Sequence, residues 1–290
     1  GDAYIAIDDA INTDTVTIVD EDVAVLSIAA TDANAAEPDD NGQFTVTLSA
    51  VSDTDTVIDY QIAGSADAGN DYTPLTGSVT IAAGDTTAPI DVTTIDDNLL
   101  ETSETVEVTL ERITSGDADI TLGTPSASVT IVDDDAAEVT IAATDAIGLE
   151  PIDNGQFTVS LSSPSDTDTV ISYSVTGDAT AGSDYKTLSG TVTVLAGDTS
   201  ATIDVTVLDD TFVEDNETVI VTLDSVDSGD ADITIGAANS DTVTIGDTDR
   251  AEVSLFAFDD IAAEPDDNGQ FRVSISKLSD TDTVVTYSVT

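Results

Sequence analysis

Two acidic loops in this 290-residue sequence have the residue types and the spacing of a metal-binding site. The first, IDDNLLETSE, occupies residues 95–104, and the second, LDDTFVEDNE, occupies residues 208–217. Both place two Asp and then two Glu at the same intervals, between apolar segments. Carboxylates held this close repel one another unless a cation neutralises them. Because hard oxygen ligands select Ca²⁺ over softer metals, the loops predict calcium binding.

The two loops belong to a longer internal repeat. A Glu-Pro pair occurs at Glu37, Glu150 and Glu264, and the blocks NGQF and SDTDTV recur at the same spacings of 113 and 114 residues. An acidic run closes each unit: DED at 20–22, DDD at 133–135 and DTD at 247–249. A repeat with a constant register indicates tandem copies of one domain. We therefore expect part of a longer repeat protein, with the end of one repeat (1–22), two complete repeats (23–135 and 136–249) and the start of another (250–290).

Apolar and polar residues alternate along each complete repeat, which is the period of a β-strand. In the first repeat this alternation covers seven segments, from Val25–Ile28 to Val129–Ile131, and turn residues such as Ala83-Gly84-Asp85 separate them. Seven short strands in about 110 residues is the number expected of an immunoglobulin-like fold. The sequence predicts an all-β protein, a linear array of immunoglobulin-like antiparallel β-sandwiches.

The composition argues against several classes of partner and chemistry. The chain carries 59 Asp and Glu against 5 Lys and Arg, a net charge of −54, so it is unsuited to nucleic acid or an anionic membrane. It has no Cys and no His, which removes Cys/His zinc sites and nucleophiles activated by His. No apolar run approaches the roughly 18 residues of a spanning helix, so we expect no membrane insertion in this segment.

Several motifs, in a fixed order, resemble the Calx-β domain family. They are AGNDY and AGSDY (68–72 and 181–185), GSVTIAAGDT and GTVTVLAGDT, the two DDxxxExxE loops, and the closing TIVDDD. Calx-β domains were first described in sodium–calcium exchangers and occur in many extracellular repeat proteins. The resemblance spans the whole chain and implies calcium ions at the tip of each sandwich, more than one per complete repeat.

By position, the resemblance also implies the metal ligands. In the first complete repeat they are Glu37, Asp71, Asp96, Asp97, Glu101, Glu104, Asp133, Asp134 and Asp135, with the backbone carbonyl of Leu99. In the second they are Glu150, Asp184, Asp209, Asp210, Glu214, Glu217, Asp247 and Asp249. Thr248 replaces the middle acid of the closing run, so the second repeat has one ligand fewer. Residues 250–290 keep only Glu264, and no complete site is expected there.

These features favour a structural role. We expect a calcium-rigidified segment of a large, bacterial, secreted or cell-surface protein, such as an adhesin or a biofilm matrix filament. Its partners would be the neighbouring repeats, with lateral self-association into fibres. The alternative is a calcium-sensing regulatory module attached to a membrane protein. Two other interpretations are less favoured: a solvated acidic surface without ions, and a glycosidase that uses Asp97 and Glu101, although we expect no enzyme.

Overall fold

The computed structural model describes residues 14–18 and 21–290, and in this part of the chain every regular element is a β-strand. The all-β prediction is therefore confirmed. The chain divides into two compact units, unit 1 (1–96 and 103–132) and unit 2 (97–102 and 133–290). Segment 97–102 groups with unit 2, although its sequence belongs to the repeat predicted at 23–135. Most of segment 1–22, predicted as the end of a repeat, lies outside the described residues.

Unit 1 is a sandwich of two sheets. Its strands are β1 (Ala24–Asp32), β2 (Asn34–Ala36), β3 (Gly42–Leu48), β4 (Thr56–Gly64), β5 (Ser78–Ile81), β6 (Thr87–Val92), β7 (Glu104–Ser115), β8 (Ile120–Leu122) and β9 (Ser126–Val132). One sheet has the order β6-β3-β1-β8 and the other β2-β9-β7-β4-β5. Most neighbouring strands are antiparallel, but β1 pairs with β8, and β2 with β9, in parallel.

The core of unit 1 lies between the two sheets and follows the predicted alternation. Along β3 every second residue is buried, including Phe44, Val46 and Leu48. Each such side chain contributes about 1.5–3 kcal/mol through its removal from water. The seven predicted segments are all strands. Ile62 in β4 is an exception to the burial pattern, because the last four residues of that strand extend past the core and are exposed.

Unit 2 repeats this sandwich and adds a hairpin. Its strands are β10 (Ala137–Asp145), β11 (Ile147–Leu149), β12 (Gly155–Leu161), β13 (Thr169–Thr176), β14 (Thr191–Val194), β15 (Ser200–Val205), β16 (Glu217–Ser228), β17 (Ile233–Ile235), β18 (Ser240–Gly246), β19 (Val253–Asp259) and β20 (Gln270–Ile275). The sheets have the orders β15-β12-β10-β17 and β11-β18-β16-β13-β14. Among the strands of the described residues, β19 and β20 pair only with each other, and their large apolar side chains, such as Phe256 and Phe271, are exposed.

Candidate metal centre

Three carboxylates from two separate parts of unit 2 lie close together. Asp184 lies in the loop between β13 and β14, Glu214 lies in the acidic loop 208–217, and Glu217 is the first residue of β16. Each offers an oxygen, and these oxygens all lie within 4.8 Å of one another. Asp184 is buried, and the two Glu are half-buried. All three were predicted as ligands from the sequence.

The AGSDY turn fixes the position of Asp184. Its backbone N–H donates to the carbonyl of Thr180 at 3.0 Å, and the Thr180 N–H donates to the Asp184 carboxylate. The turn requires a φ of +91° at Gly182, a backbone conformation that favours glycine. The Asp184 carbonyl then accepts a hydrogen bond from Leu208 N–H at 2.9 Å. The turn is thus joined to the first residue of the acidic loop.

Asp side chains hold the acidic loop and the closing run DTD in place. The N–H of Phe212 donates to Asp210 Oδ1 at 2.7 Å, within the loop. The N–H of Glu214 donates to Asp247 Oδ2 at 2.9 Å, and that of Asp249 to Asp247 Oδ1 at 2.6 Å. Short Asp side chains commonly hold turns in this way. The hydrogen bonds of Asp247 therefore link the loop to the end of β18.

A short parallel pair of strands brings Glu150 to the same edge. In the pair β11 and β18, Leu149 lies opposite Gly246, so the residues that follow leave the sheet together. Glu150 N–H donates to the Gly246 carbonyl at 3.1 Å, and Glu150 itself is 5% exposed. Thr248, at the position where an acid is missing, donates its hydroxyl to the Glu150 carbonyl at 2.9 Å. The sequence did not predict this role for Thr248.

The electrostatics of the cluster show an unneutralised excess of negative charge. Burial, a hydrogen bond to Asp184 and the charges of Asp184 and Glu214 raise the pKa of Glu217 to about 8. Burial and the charges of Asp210, Asp247 and Glu214 raise the pKa of Glu150 to about 7. Burial and neighbouring carboxylates raise the pKa of Glu214 as well. A divalent cation removes this repulsion.

The remaining predicted ligands of unit 2 have different surroundings. Asp249 forms an ion pair with Lys277 through Oδ1, while its Oδ2 is buried and accepts no hydrogen bond from the part of the chain that the structure describes. A buried acceptor with no donor is unusual in a native protein, and a bound ion or an ordered water would satisfy it. Asp209 is exposed. The donor set fits Ca²⁺, which takes 6–8 oxygen ligands and prefers carboxylates and carbonyls.

In the first repeat the predicted ligands divide between the units. Glu37, Asp71, Asp96 and Glu104 belong to unit 1, while Asp97, Leu99, Glu101, Asp133, Asp134 and Asp135 belong to unit 2. The local geometry matches that of the second repeat, because Leu99 N–H donates to Asp97 Oδ1 at 2.7 Å and Glu101 N–H to Asp133 Oδ2 at 3.0 Å. In unit 1 the carbonyl of Asp71 accepts from Ile95 N–H at 3.0 Å, as that of Asp184 does from Leu208. The same loop chemistry thus occurs twice.

The Calx-beta domain family matches the chain twice, at residues 19–135 and 133–249. The chain belongs to this family, and the resemblance seen in its motifs is confirmed. Calx-beta domains bind Ca²⁺, and the acidic cluster of unit 2 has the composition to hold ions. No curated protein matches the sequence significantly. Among the described residues there is no helix with the length and hydrophobicity to cross a membrane.

Solved structures of Calx domains are similar to this chain at low identity. CBD12 from CALX1.2 has 18% identity and a TM-score of 0.34, with coverage of 77% of this chain and 99% of that one. The calcium-binding domain CBD12 of CALX1.1 has 16% identity and a TM-score of 0.33, with coverage of 76% and 99%. The apo form of the Calx CBD1 domain has 19% identity and a TM-score of 0.33, with coverage of 39% and 100%.

Proposed function

We propose that this chain is a structural segment of a secreted or cell-surface adhesin or matrix filament, in which calcium stiffens the run of repeats. One observation carries the proposal: the acids that close a repeat lie immediately before the next one. The run 133–135 is followed by β10, which begins at Ala137, and the run 247–249 is followed closely by β19, which begins at Val253. Such short, charged connections contrast with flexible Gly/Ser linkers.

In this proposal the protein's own carboxylates form the calcium sites, and they repel one another when no cation is bound. One ion would be bound by Asp184, Glu214 and Glu217. The nearby carboxylates would add negative charge around it: Glu150, Asp210 and Asp247. Each complete repeat would bind more than one ion. Bound calcium supplies positive charge to carboxylates that otherwise repel one another. Because the folded state alone forms these sites, binding stabilises that state by linkage. Residues that close one repeat would then move less relative to the strand that follows.

The extracellular location is part of the proposal. Extracellular calcium modules bind with dissociation constants of about 10⁻⁴ to 10⁻³ M, so millimolar calcium outside cells fills them. The net charge of −54 also suits a surface protein in a salty medium, where screening reduces self-repulsion. Partners would be the neighbouring repeats of the chain, and lateral association into fibres would use exposed strand edges or calcium bridges.

The alternative is a calcium-sensing regulatory module on a membrane protein, and family membership supports it as well. A few repeats flanked by membrane spans in the whole gene would favour that role, whereas many repeats in series would favour the filament. We assign no catalytic role to Asp97 and Glu101. The backbone contacts of these two acids match those of the ligand loop in the second repeat.

The test is a calcium titration of the 290-residue chain by calorimetry, with small-angle scattering before and after chelation by EGTA. We expect several ions per chain and a larger, stiffer particle with calcium. In the variant carrying Glu214→Gln and Glu217→Gln, at least one ion should be lost. Glu111→Gln, an exposed acid on β7, is the matched control and should bind as the parent does. Binding without a change in particle dimensions would refute stiffening, and no binding would refute the site.

A further inference from the structure

Leu100 lies in the first acidic loop but is not one of the predicted metal ligands. It follows the ligand loop position Leu99, yet it is fully buried within the hydrophobic core of unit 2, a core that also contains Ala137 and Ile233. Two backbone hydrogen bonds hold it: Leu100 N–H donates to the Pro164 carbonyl at 3.0 Å, and Asp166 N–H donates to the Leu100 carbonyl at 3.0 Å. The loop therefore inserts one apolar side chain beside the start of an SDTDTV block.

The same contact occurs a second time in unit 2. Val213 is the counterpart of Leu100 in the second acidic loop. Its N–H donates to the Leu278 carbonyl at 2.9 Å, and Asp280 N–H donates to the Val213 carbonyl at 3.3 Å. The segment that contacts the loop, which we call its receiver, lies around Ser279 and is again the start of an SDTDTV block. In both cases the loop precedes its receiver in the sequence by about 65 residues.

The third SDTDTV block, at Ser52 in unit 1, lines an open pocket of about 580 Å³. We call it the Ser52 pocket. Its lining includes Ala24, Val51, Ser52, Gly84, Asp117 and Ile120. The repeat offset of 113 residues relates these to Ala137, Pro164, Ser165, Gly197, Asp230 and Ile233 in unit 2. Of these, Pro164 accepts the Leu100 N–H, and Ala137 and Ile233 belong to the same core cluster as Leu100. The Ser52 pocket is thus the counterpart of a receiver that is filled elsewhere in the molecule.

Exposure distinguishes the filled receiver from the open one. Ser165 is 1% exposed and Asp230 is buried, whereas Ser52 and Asp117 are only half-buried. Val51 is 66% exposed. The extra burial in unit 2 is what an inserted side chain produces.

The frame of the open pocket already has the geometry of the filled one. Gly84 N–H donates to the Ser52 carbonyl at 2.9 Å, and its counterpart Gly197 N–H donates to the Ser165 carbonyl at 2.8 Å. In both units an Asp of the SDTDTV block accepts a backbone N–H at 2.9 Å from the same turn. A preformed receiver reduces the entropic cost of binding.

We propose that the Ser52 pocket binds the acidic loop of a further Calx-beta repeat that precedes it in tandem, through an aliphatic side chain at the Leu100 position. The incoming residue would donate its N–H to the Val51 carbonyl and accept from Asp53 N–H, as Leu100 does with Pro164 and Asp166. No described loop of this chain is free for the role, because Leu100 and Val213 are both engaged in unit 2. The apolar floor of Ala24 and Ile120 gives the side chain its site.

The chain has no cysteine, so a single introduced thiol reports on each receiver. Ser52→Cys should react rapidly with a maleimide, and the matched variant Ser165→Cys should react at least tenfold more slowly, because Leu100 covers it. Adding Leu100→Ala to Ser165→Cys should restore most of the rate. Equal reaction rates for Ser52→Cys and Ser165→Cys would overturn the distinction between open and filled receivers.

The decisive experiment extends the chain by placing a copy of residues 23–135 immediately before Val23, in place of 1–22. The Ser52→Cys thiol of the original repeat should then be protected at least tenfold. Replacing Leu100 of the added copy by Ala should remove the protection, whereas replacing its exposed Thr102 by Ala should preserve it, and thermal unfolding checks that each variant folds. An unprotected thiol in the extended chain would refute the proposal. Protection that rises with concentration in the unextended chain would refute it in favour of a second copy as the occupant.

Measurements with saturating calcium and with EGTA separate this inference from the proposed function. Protection that persists in EGTA supports the pocket independently of the metal. Calcium-dependent stiffening together with an unprotected Ser52→Cys thiol in the extended chain would support the function and refute the pocket.

Discussion

Glu217 and Glu150 show at the residue scale how burial among other acids affects a carboxyl group. A carboxylate in water ionises near pH 4.5, but in this fold burial and neighbouring acids raise the pKa of Glu217 to about 8 and that of Glu150 to about 7. At neutral pH the folded protein without metal therefore keeps protons that the unfolded chain has released. Protons and calcium compete for the same oxygens, because calcium requires the ionised form.

The first prediction follows from the sign of these shifts. Between pH 4.5 and about 8 the folded state binds more protons than the unfolded state, so the free energy of unfolding falls as the pH rises through this window. In EGTA, the midpoint of thermal unfolding should be lower at pH 8.5 than at pH 5.5. With saturating calcium the difference should shrink or reverse, because the ion stabilises the ionised carboxylates.

The control for this prediction is Glu217→Gln, which removes one of the two titrating groups without changing the shape of the side chain. In EGTA its unfolding midpoint should vary less with pH than that of the parent. A parent protein whose midpoint in EGTA rises between pH 5.5 and 8.5 would contradict the assignment of raised pKa values to these carboxyls.

At the element scale, the long strands could be predicted from the sequence and the short ones could not. Segments such as β3 alternate over seven residues, which is enough to show a period of two. The three-residue strands β2, β8, β11 and β17 are too short for any period, and their pairing depends on distant strands. Without β11 there was no physical reason to place Glu150 beside Asp247, and only the family resemblance indicated it.

In the ligand loops, too, some features could be predicted from the sequence and others could not. The residues alone predicted that Glu214 and Glu217 share an ion, because DDxxxExxE recurs in register and clustered acids of one charge need a cation. That Asp184 lies beside them was indicated only by the family resemblance. The sequence could not predict that Leu100 is a buried core residue. Two adjacent leucines in an acidic loop give no period, and the burial of Leu100 depends on core residues far away in sequence, such as Ala137 and Ile233. The ion pair between Lys277 and Asp249 likewise depends on the tertiary fold and could not be predicted from the sequence.

The second prediction concerns the contribution of segment 97–102 to unit 2. Truncating a fully buried leucine costs about 2–5 kcal/mol through lost contacts and the cavity left behind. Leu100→Ala should therefore destabilise unit 2 by an amount in this range, measured by urea unfolding in saturating calcium. Leu99→Ala, at the half-buried neighbour, is the matched control and should cost less. Equal effects of the two substitutions would show that Leu100 is not a core residue.

At the scale of the whole molecule, net charge sets the conditions under which the chain is stable. A charge of −54 on 290 residues produces repulsion throughout the fold, beyond the metal cluster. Salt shortens the range of this repulsion to about 10 Å at 0.1 M ionic strength. Sodium ions act on all surface charges alike, whereas calcium acts mainly where carboxylates converge.

The third prediction uses that difference. In EGTA, raising NaCl from 20 mM to 1 M should raise the thermal midpoint steadily. Millimolar CaCl₂ should raise it further than NaCl of the same ionic strength. Magnesium at the same concentration is the control and should give a smaller increase, because it prefers rigid six-fold coordination and retains its water. Equal effects of calcium and magnesium would indicate general screening without specific sites.

The hairpin of β19 and β20 has a consequence for how a protein of this kind is made. Among the described residues its two strands pair with no third strand, and side chains such as Phe256 and Phe271 are exposed to solvent. During synthesis every repeat passes through this stage, because its strands emerge in order and the strands that cover the hairpin come later. The apolar surface open to aggregation is thus confined to the newest repeat, and it does not grow with the number of repeats already completed.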